Sequence, residues 1–218
     1  MWNELRHLIR KEFLLEWKQR YALSGLLLYV VTTIFVCYLS FKKVVDVPTW
    51  NALFWIILLF ASVNAVAKSF MQESRHRNLY YYTVADPKFV IGAKLIYNTL
   101  LLLSLALLHL AIFSLLIGNP VQDMTLFLIA LFLGVFGLAS VMTLISAIAS
   151  KAGANSTLMA ILGFPVLMPL LLTSIRLSKN AADGLVVASN QQFIIVLLAL
   201  NIAISALAII LFPYLWRE

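Results

Sequence analysis

Residues 126–149 read LFLIALFLGVFGLASVMTLISAIA, a run of 24 residues without Asp, Glu, Lys or Arg. The hydrocarbon core of a bilayer is about 30 Å thick, and about 20 apolar residues in a helix cross it. The run is therefore long enough and apolar enough to span a membrane. It predicts a transmembrane helix rather than a membrane strand, because such strands are shorter and alternate apolar with polar positions.

Five further runs share this length and this absence of charged residues. They lie at 21–41, 50–67, 95–117, 158–175 and 193–215. Polar segments and turn-forming residues separate them, as in GNPVQD at 118–123. The sequence therefore predicts an all-α integral membrane protein, with six transmembrane helices in a single domain over residues 1–218.

The overall composition agrees with a chain that lives in lipid. Of the 218 residues, 63% are hydrophobic and 11% are charged, against about 45–50% and about 25% in soluble domains. This composition excludes a soluble enzyme, a disordered chain and a nucleic-acid-binding module. The single cysteine, Cys37, excludes an intrachain disulfide and a cysteine-based metal cluster.

The positions of the basic residues predict the orientation in the membrane. Cytoplasmic loops of membrane proteins are enriched in Lys and Arg. With the N-terminus inside, 12 of the 16 basic residues lie on the cytoplasmic side. The four on the other side are Lys42, Lys43, Arg176 and Lys179. Both termini are therefore expected in the cytoplasm. The formal charge of +7 is explained mainly by the basic residues on the cytoplasmic side, rather than by a site for an anionic substrate.

Residues 1–20 are predicted to form an amphipathic interfacial helix and not a signal peptide, because they lack a short apolar core with a cleavage site. An apolar stripe recurs at spacings of three and four residues, which places it on one helical face. Its members are Trp2, Leu5, Ile9, Phe13 and Trp17. Trp2, Phe13 and Trp17 are expected at the membrane interface. The alternative is a helix packed on a soluble partner.

Residues 68–94, between the second and third spans, are too polar and too long for a simple connector. They contain Glu73, Arg75 and Arg77, followed by Tyr80, Tyr81, Tyr82 and Pro87. Because proline suits the first turn of a helix, the segment is expected to form a short helix, a turn and a second helix at the cytoplasmic surface. The tyrosines suit either an interfacial aromatic belt or a protein-docking surface.

The fifth span contains two prolines four residues apart, Pro165 and Pro169. Each removes a helical hydrogen-bond donor, so the span is expected to kink or break near its middle, either as a gating element or as a static feature of packing. The fourth span carries a face of small residues suited to close helix contact. Its members are Gly134, Gly137, Ser140, Ser146, Ala149 and Gly153.

Catalytic motifs are nearly absent from the sequence. It contains no zinc-protease motif, no nucleophile elbow and no phosphate-binding loop, so ATP hydrolysis is expected on a partner chain. His109 lies inside the third span, where an ionisable residue is by default a functional hypothesis. It is either a haem or metal ligand, or an imidazole satisfied by a neighbouring helix.

Several of these features together resemble the haem exporter protein B family, the CcmB-type permeases of the ABC-2 exporter class. The resemblance covers essentially the whole chain. Between the second and third spans it rests on an F-x-x-E motif, an L-Y-Y-Y motif and the residues that follow, namely Phe70, Glu73, Leu79, Tyr80, Tyr81, Tyr82, Pro87 and Lys94. In the fifth span it rests on P-x-x-x-P-L-L, namely Pro165, Pro169, Leu170 and Leu171.

The resemblance implies a permease subunit in the bacterial inner membrane that works in cytochrome c maturation. Such permeases pair with a separate ATPase subunit, CcmA, and with CcmC and CcmD. The complex uses ATP to release the haem-loaded chaperone CcmE, and haem is handled mainly by CcmC, so no cofactor is expected directly on this chain. A homodimer is also left open.

We hypothesise that Glu73, Arg75, Arg77 and Tyr80–Tyr82 form a coupling element in a groove of the ATPase, with Pro165 and Pro169 passing its motion outward. Three alternatives remain at this point. They are an ABC-2 permease for another cargo such as a polysaccharide, lipid or drug, an intramembrane enzyme, and a purely structural membrane subunit.

Overall fold

The structure is a computed structural model that describes residues 2–18, 20–41, 45–66, 70, 86–151 and 156–217, with side chains except at 2–3, 15–18, 20–23, 156–160 and 216–217. Within these ranges it is helical and contains no strand. Its helices are α1 (Trp2–Lys18), α2 (Arg20–Phe41), α3 (Val47–Val66), α4 (Pro87–Ile117), α5 (Met124–Lys151), α6 (Ser156–Ala182), a short 3₁₀ helix (Val187–Asn190) and α7 (Gln191–Arg217). Helices α2–α7 are each long and apolar enough to cross a membrane. The predicted all-α class and the six spans are confirmed.

Two helices extend well beyond the apolar runs that predict them. Helix α4 begins at Pro87 rather than at residue 95, because the Asp86 carboxylate caps it by accepting a hydrogen bond of 2.9 Å from the Lys88 backbone N–H. Helix α6 continues beyond residue 175 to Ala182. Apolar runs report the thickness of the bilayer, whereas caps and turns determine where a helix ends.

This early start corrects one expectation for the segment between the second and third spans. The prediction of a separate second surface helix after Pro87 is wrong, because residues 87–117 form one continuous helix that includes the third span. Pro87 occupies the first turn, as predicted, where its missing N–H costs no intrahelical bond. The residues before Asp86 in this segment lie outside the described residues, except Phe70.

The fifth span is not broken at its prolines. Helix α6 runs through Pro165 and Pro169, both of which are exposed. The opposite face carries Leu167, Leu170 and Ser174, which are buried. Packing along that face holds the helix together despite the missing donors, so a break is excluded and a kink stays a prediction.

Helix α5 is the central and most deeply buried span, in contact with α3, α4, α6 and α7. Its small residues permit this close packing. A Cβ added at Gly134 would overlap the Trp55 ring, and one at Gly137 would overlap the side chains of Leu170 and Asn201. The predicted small-residue face is thus confirmed for the fourth span, since Gly134, Gly137, Ser140, Ser146 and Ala149 are buried, while Gly153 lies outside the described residues.

Buried polar side chains cross-link the spans. Near one end of the bundle, the Trp55 indole N–H donates to the Ser178 hydroxyl, which donates to Asn51 Oδ1, each at 2.8 Å. Nearer the other end, Asn98 Nδ2 donates to Thr143 Oγ1, also at 2.8 Å. Because lipid offers no competing hydrogen bonds, such pairs hold transmembrane helices in register.

The predicted turn between the third and fourth spans is confirmed. The chain leaves α4 at Gly118, whose φ of 103° suits glycine, and enters α5 at Asp123. The Asp123 carboxylate accepts a hydrogen bond from the Leu126 N–H at 3.0 Å, which caps α5. The Asp123 N–H donates to the Ala181 carbonyl of α6 at 2.9 Å, so this turn is joined to the end of the fifth span.

Candidate functional site

The predicted coupling residues are only partly within the described structure. Glu73, Arg75, Arg77, Tyr80, Tyr81 and Tyr82 lie outside the described residues. What the structure shows is how the segment 68–94 is attached to the bundle, at Phe70 near its start and from Asp86 to Lys94 at its end.

Phe70 anchors the start of the segment. Its side chain is buried, and its backbone N–H donates to the Ser146 hydroxyl of α5 at 3.3 Å. Its ring lies 5.3 Å from the ring of Phe212 in α7, centroid to centroid. The first residue of the F-x-x-E motif is therefore held against the ends of the fourth and sixth spans.

Lys94 anchors the end of the segment, and the structure buries it. Only 1% of its surface is exposed, although the sequence places it as a cytoplasmic cation at the membrane edge. Its Nζ lies 3.2 Å from Glu12 Oε2 of α1 and 4.7 Å from the centroid of the Phe70 ring. A buried ammonium needs an opposite charge, and an aromatic face adds attraction, so both contacts offset the cost of burying Lys94.

Helix α1 packs on this same end of the third span. Leu5 lies over Gly92, where an added Cβ would come within 3.9 Å of its Cδ1, and Glu12 is buried. Phe13 is 49% exposed, and its ring meets that of Tyr97 edge-on at 5.1 Å. One flank of the predicted apolar stripe therefore faces the chain itself, and Phe13 faces outward.

This packing adds a contact that was not predicted from the sequence, because α1 also lies against α4 of its own chain. The exposed side of α1 carries Arg6, His7 and Arg10 together with Phe13 and Leu14. Such a mixture of cations and apolar side chains suits a headgroup boundary. The predicted membrane-interface role of Phe13 stays a prediction, and the side chains of Trp2 and Trp17 lie outside the described residues.

We call the assembly around the Glu12–Lys94 ion pair the terminus-side junction, because α1 and the last turns of α7 meet there. An apolar cluster surrounds the pair and draws on α1, α4, α5 and α7. Its members are Leu8, Phe70, Val90, Ile91, Leu95, Leu144, Ala147, Ile148, Ala208 and Phe212. The N-terminal helix, the C-terminal end of the last span and both anchors of segment 68–94 therefore lie at one end of the bundle, as six membrane crossings require.

A comparison with protein families bears on what such a bundle does. A family model described as CcmB protein matches residues 3–213, which include all six spans and the terminus-side junction. The chain belongs to the CcmB family. CcmB proteins are permease components of the ABC transporter of cytochrome c maturation, so this chain is a multi-pass transporter subunit and not itself an enzyme. The family associates with ABC transporter components such as an ATPase. A comparison with curated proteins finds no match.

In this CcmB protein, neither the burial of Glu12 and Lys94 nor their pairing was predicted from the sequence. Glu12 was not singled out from the sequence, and Lys94 was only counted among the 12 basic residues of the cytoplasmic side. The available signal was the position of Glu12 between Ile9 and Phe13, close to the apolar stripe. That position identifies a charge near a buried face, but it does not identify the partner.

His109 lies far from the terminus-side junction, in an aromatic cluster between α3, α4 and α5. Its ring stacks on Phe54 at 4.6 Å and meets Phe113 edge-on at 5.3 Å. The imidazole is fully buried, and neither ring nitrogen has a hydrogen-bond partner among the described residues. The described part of the chain also contains no group of three His, Cys, Asp or Glu residues arranged to hold a metal ion. His109 is therefore packed in the same way as the aromatic rings around it.

Replacing His109 with Phe is therefore expected to leave cytochrome c maturation intact. The substitution keeps the ring stacked on Phe54 and removes two buried polar nitrogens, each of which lacks a partner in the described structure. We expect the free energy of unfolding to stay within about 1 kcal/mol of wild type or to rise. The measurements are SDS-titrated unfolding in micelles and the cellular yield of cytochrome c. Normal accumulation with lost cytochrome c would instead assign His109 a chemical role.

Proposed function

We propose that this chain is the permease subunit of an ABC transporter complex that couples ATP hydrolysis by a separate ATPase subunit to haem export, or to release of a haem-loaded chaperone, in cytochrome c maturation. The observation that carries the proposal is the family match over residues 3–213. The absence of a phosphate-binding loop from the sequence supports placing ATP on another chain.

The partners follow from the same family. They are a CcmA-like ATPase, CcmC-like and CcmD-like membrane proteins and, functionally, the haem chaperone CcmE, with membrane lipid around the spans and a second copy of the chain left open. Haem is handled by the complex, and this chain binds no cofactor directly. The alternative function is that of an ABC-2 permease that exports another cargo, such as a polysaccharide, lipid or drug.

The segment 68–94 is the proposed coupling element. Glu73, Arg75, Arg77 and Tyr80–Tyr82 would dock in a groove of the ATPase, where charges and aromatic side chains both suit a protein contact. Two structural observations support this role. The segment is attached at Phe70 and at Asp86-Pro87, and both attachments lie at the end of the bundle where the chain termini meet.

The fifth span is the proposed route by which motion reaches the opposite end of the bundle. Pro165 and Pro169 remove two helical donors from α6, which makes this helix easier to bend than a helix without proline. Its buried face contacts the central helix α5 at Gly137 and Gly134, through Leu170 and Ser174. A bend in α6 would therefore be transmitted directly to the bundle core.

The proposed location is the bacterial cytoplasmic membrane, with both termini and the terminus-side junction in the cytoplasm. The distribution of 12 of 16 basic residues on that side supports the orientation. An ATPase that uses cytoplasmic ATP would meet the coupling element there.

A double variant, Glu73→Ala with Arg75→Ala, tests the coupling element. Removing a charged side chain that pairs with an opposite charge on the ATPase in a desolvated interface is expected to cost about 2–5 kcal/mol of binding free energy. We expect the tagged chain to accumulate normally, to lose most of its co-purified ATPase subunit and to lose cytochrome c maturation. The measurements are pull-down from solubilised membranes and the haem-stained yield of cytochrome c.

The matched control is Arg176→Ala with Lys179→Ala, two exposed basic residues at the opposite end of the bundle. It is expected to retain the ATPase subunit. Full coupling in the Glu73, Arg75 variant would refute the coupling element. Co-purification of the wild-type chain with an ATPase but with no cytochrome c maturation protein would favour another cargo.

A further inference from the structure

We propose that the Glu12–Lys94 ion pair is a positioning device for coupling, which makes α1 move as one body with the coupling segment. The inference rests on the proposed function, since it concerns the same coupling element. It assigns a role to two buried residues that are not among the proposed docking residues.

The first argument is that Lys94 joins three separate parts of the chain. It belongs to α4, its Nζ lies 3.2 Å from Glu12 of α1, and the same atom lies 4.7 Å from the centroid of the Phe70 ring. Phe70 in turn is bonded to Ser146 and packs on Phe212. One ammonium group therefore links the N-terminal helix, the start of the coupling segment and the helix in which that segment ends.

The second argument is that apolar packing alone does not need this pair. Leu5, Leu8 and the Phe13–Tyr97 contact already dock α1 on α4 and the surrounding cluster. A buried ion pair is often no more stabilising than apolar residues of the same volume, and its best-attested use is to select one arrangement. Apolar contacts are not directional and do not fix the position of α1 along α4. A buried charge pair selects one register.

The third argument concerns the movement that the ion pair would transmit to α1. Helix α1 has an exposed face with Arg6, Arg10 and Phe13, suited to the lipid boundary. A push on the coupling segment would reach α4 at Lys94 and, through Glu12, would reach α1 at the same time. Without the pair, the segment would move while α1 stayed with the lipid, and part of the ATP-driven displacement would be lost.

The test is the double variant Glu12→Gln with Lys94→Met, assayed in the assembled complex. The substitutions keep side-chain volume and remove both charges together, so neither charge is left buried without the other. We expect wild-type accumulation and a wild-type amount of co-purified ATPase subunit. The yield of cytochrome c per ATP hydrolysed is expected to fall about fivefold or more, a typical size for coupling between sites.

The matched control is Lys11→Met. Lys11 also lies near Glu12, with Nζ 3.4 Å from Oε1, but its side chain is 22% exposed against 1% for Lys94. It contacts the same carboxylate from outside the junction, so its loss is expected to leave the yield per ATP unchanged. A merely structural role for the pair would change accumulation and not this ratio.

Each outcome separates the inference from the proposed function. A wild-type yield per ATP in the Glu12→Gln, Lys94→Met variant would overturn the positioning role and leave the proposed function intact. Failure of the wild-type chain to bind an ATPase would overturn the proposed function itself. If the double variant does not accumulate, Glu12→Asp replaces it. This substitution keeps the negative charge but places it one methylene farther from Lys94. A lowered yield per ATP in that variant supports the inference, and an unchanged yield overturns it.

Discussion

Replacing Gly134 with Ala is expected to lower the free energy of unfolding by about 3 kcal/mol, at the upper end of the usual cost of overpacking. A Cβ at this position would overlap the Trp55 ring, with Cζ3 only 2.8 Å away, and would meet Ser174 Oγ at 3.0 Å. Neither neighbour has room to withdraw. Trp55 is buried and donates its indole N–H to Ser178, and Ser174 is fully buried.

The control is Gly25→Ala in α2, because a Cβ there meets nothing within 4 Å. It makes the same chemical change in another transmembrane helix and is expected to be neutral or slightly stabilising, since alanine favours helix over glycine by about 1 kcal/mol. Both variants are compared by SDS-titrated unfolding in mixed micelles and by the amount of chain in the membrane. Equal stability of the two would show that α5 does not approach α3 and α6 as closely as the structure indicates.

Most of the fold is predictable from the sequence because the bilayer sets one requirement on every span. The run at 126–149 predicts α5 to within two residues at each end. The prediction is poorer where local chemistry controls the helix end. Asp86 and Pro87 start α4 eight residues before the apolar run, and α6 continues through Arg176 and Lys179, whose charges end the apolar run without ending the helix.

The terminus-side junction is harder to predict because it depends on tertiary packing. The periodicity of α1 indicates an apolar face, but it does not say whether that face meets lipid, a partner or the chain itself. Glu12 and Lys94 are 82 positions apart in sequence, and only the docking of α1 on α4 brings them together. Charged residues are mostly exposed in proteins, so nothing in the local sequence indicates that these two are buried.

The proposed coupling residues illustrate a different limit. Composition singles out Glu73, Arg75 and the tyrosines because segment 68–94 contains seven charged residues and three consecutive tyrosines. What they contact depends on the surface of another protein, which no pattern in this sequence encodes. The anchors Phe70 and Asp86-Pro87 are properties of this chain alone, and the structure describes both.

Replacing Phe54 with Ala is expected to destabilise the bundle by about 2 kcal/mol, the part of the usual cost that comes from the cavity left by a fully buried aromatic ring. Phe54 is 0% exposed and lies at the centre of the aromatic cluster between α3, α4 and α5. Its ring centroid lies within 6.0 Å of five other aromatic rings, those of Trp50, Trp55, His109, Phe113 and Phe127. Its loss would leave a cavity that rigid rings cannot collapse to fill.

Phe60→Ala is the control that separates packing from apolar surface. Phe60 is in the same helix, six residues on, and is 53% exposed on the outside of the bundle, where lipid tails can replace its contacts. We expect its substitution to change the free energy of unfolding by no more than about 0.5 kcal/mol. Because a lipid is as apolar as a phenylalanine, transfer from water contributes little to either variant, and the difference between them measures the packing energy itself. A similar loss in both variants would mean that the cavity at Phe54 is filled or collapses, and that interlocking aromatic rings do not hold the second, third and fourth spans together.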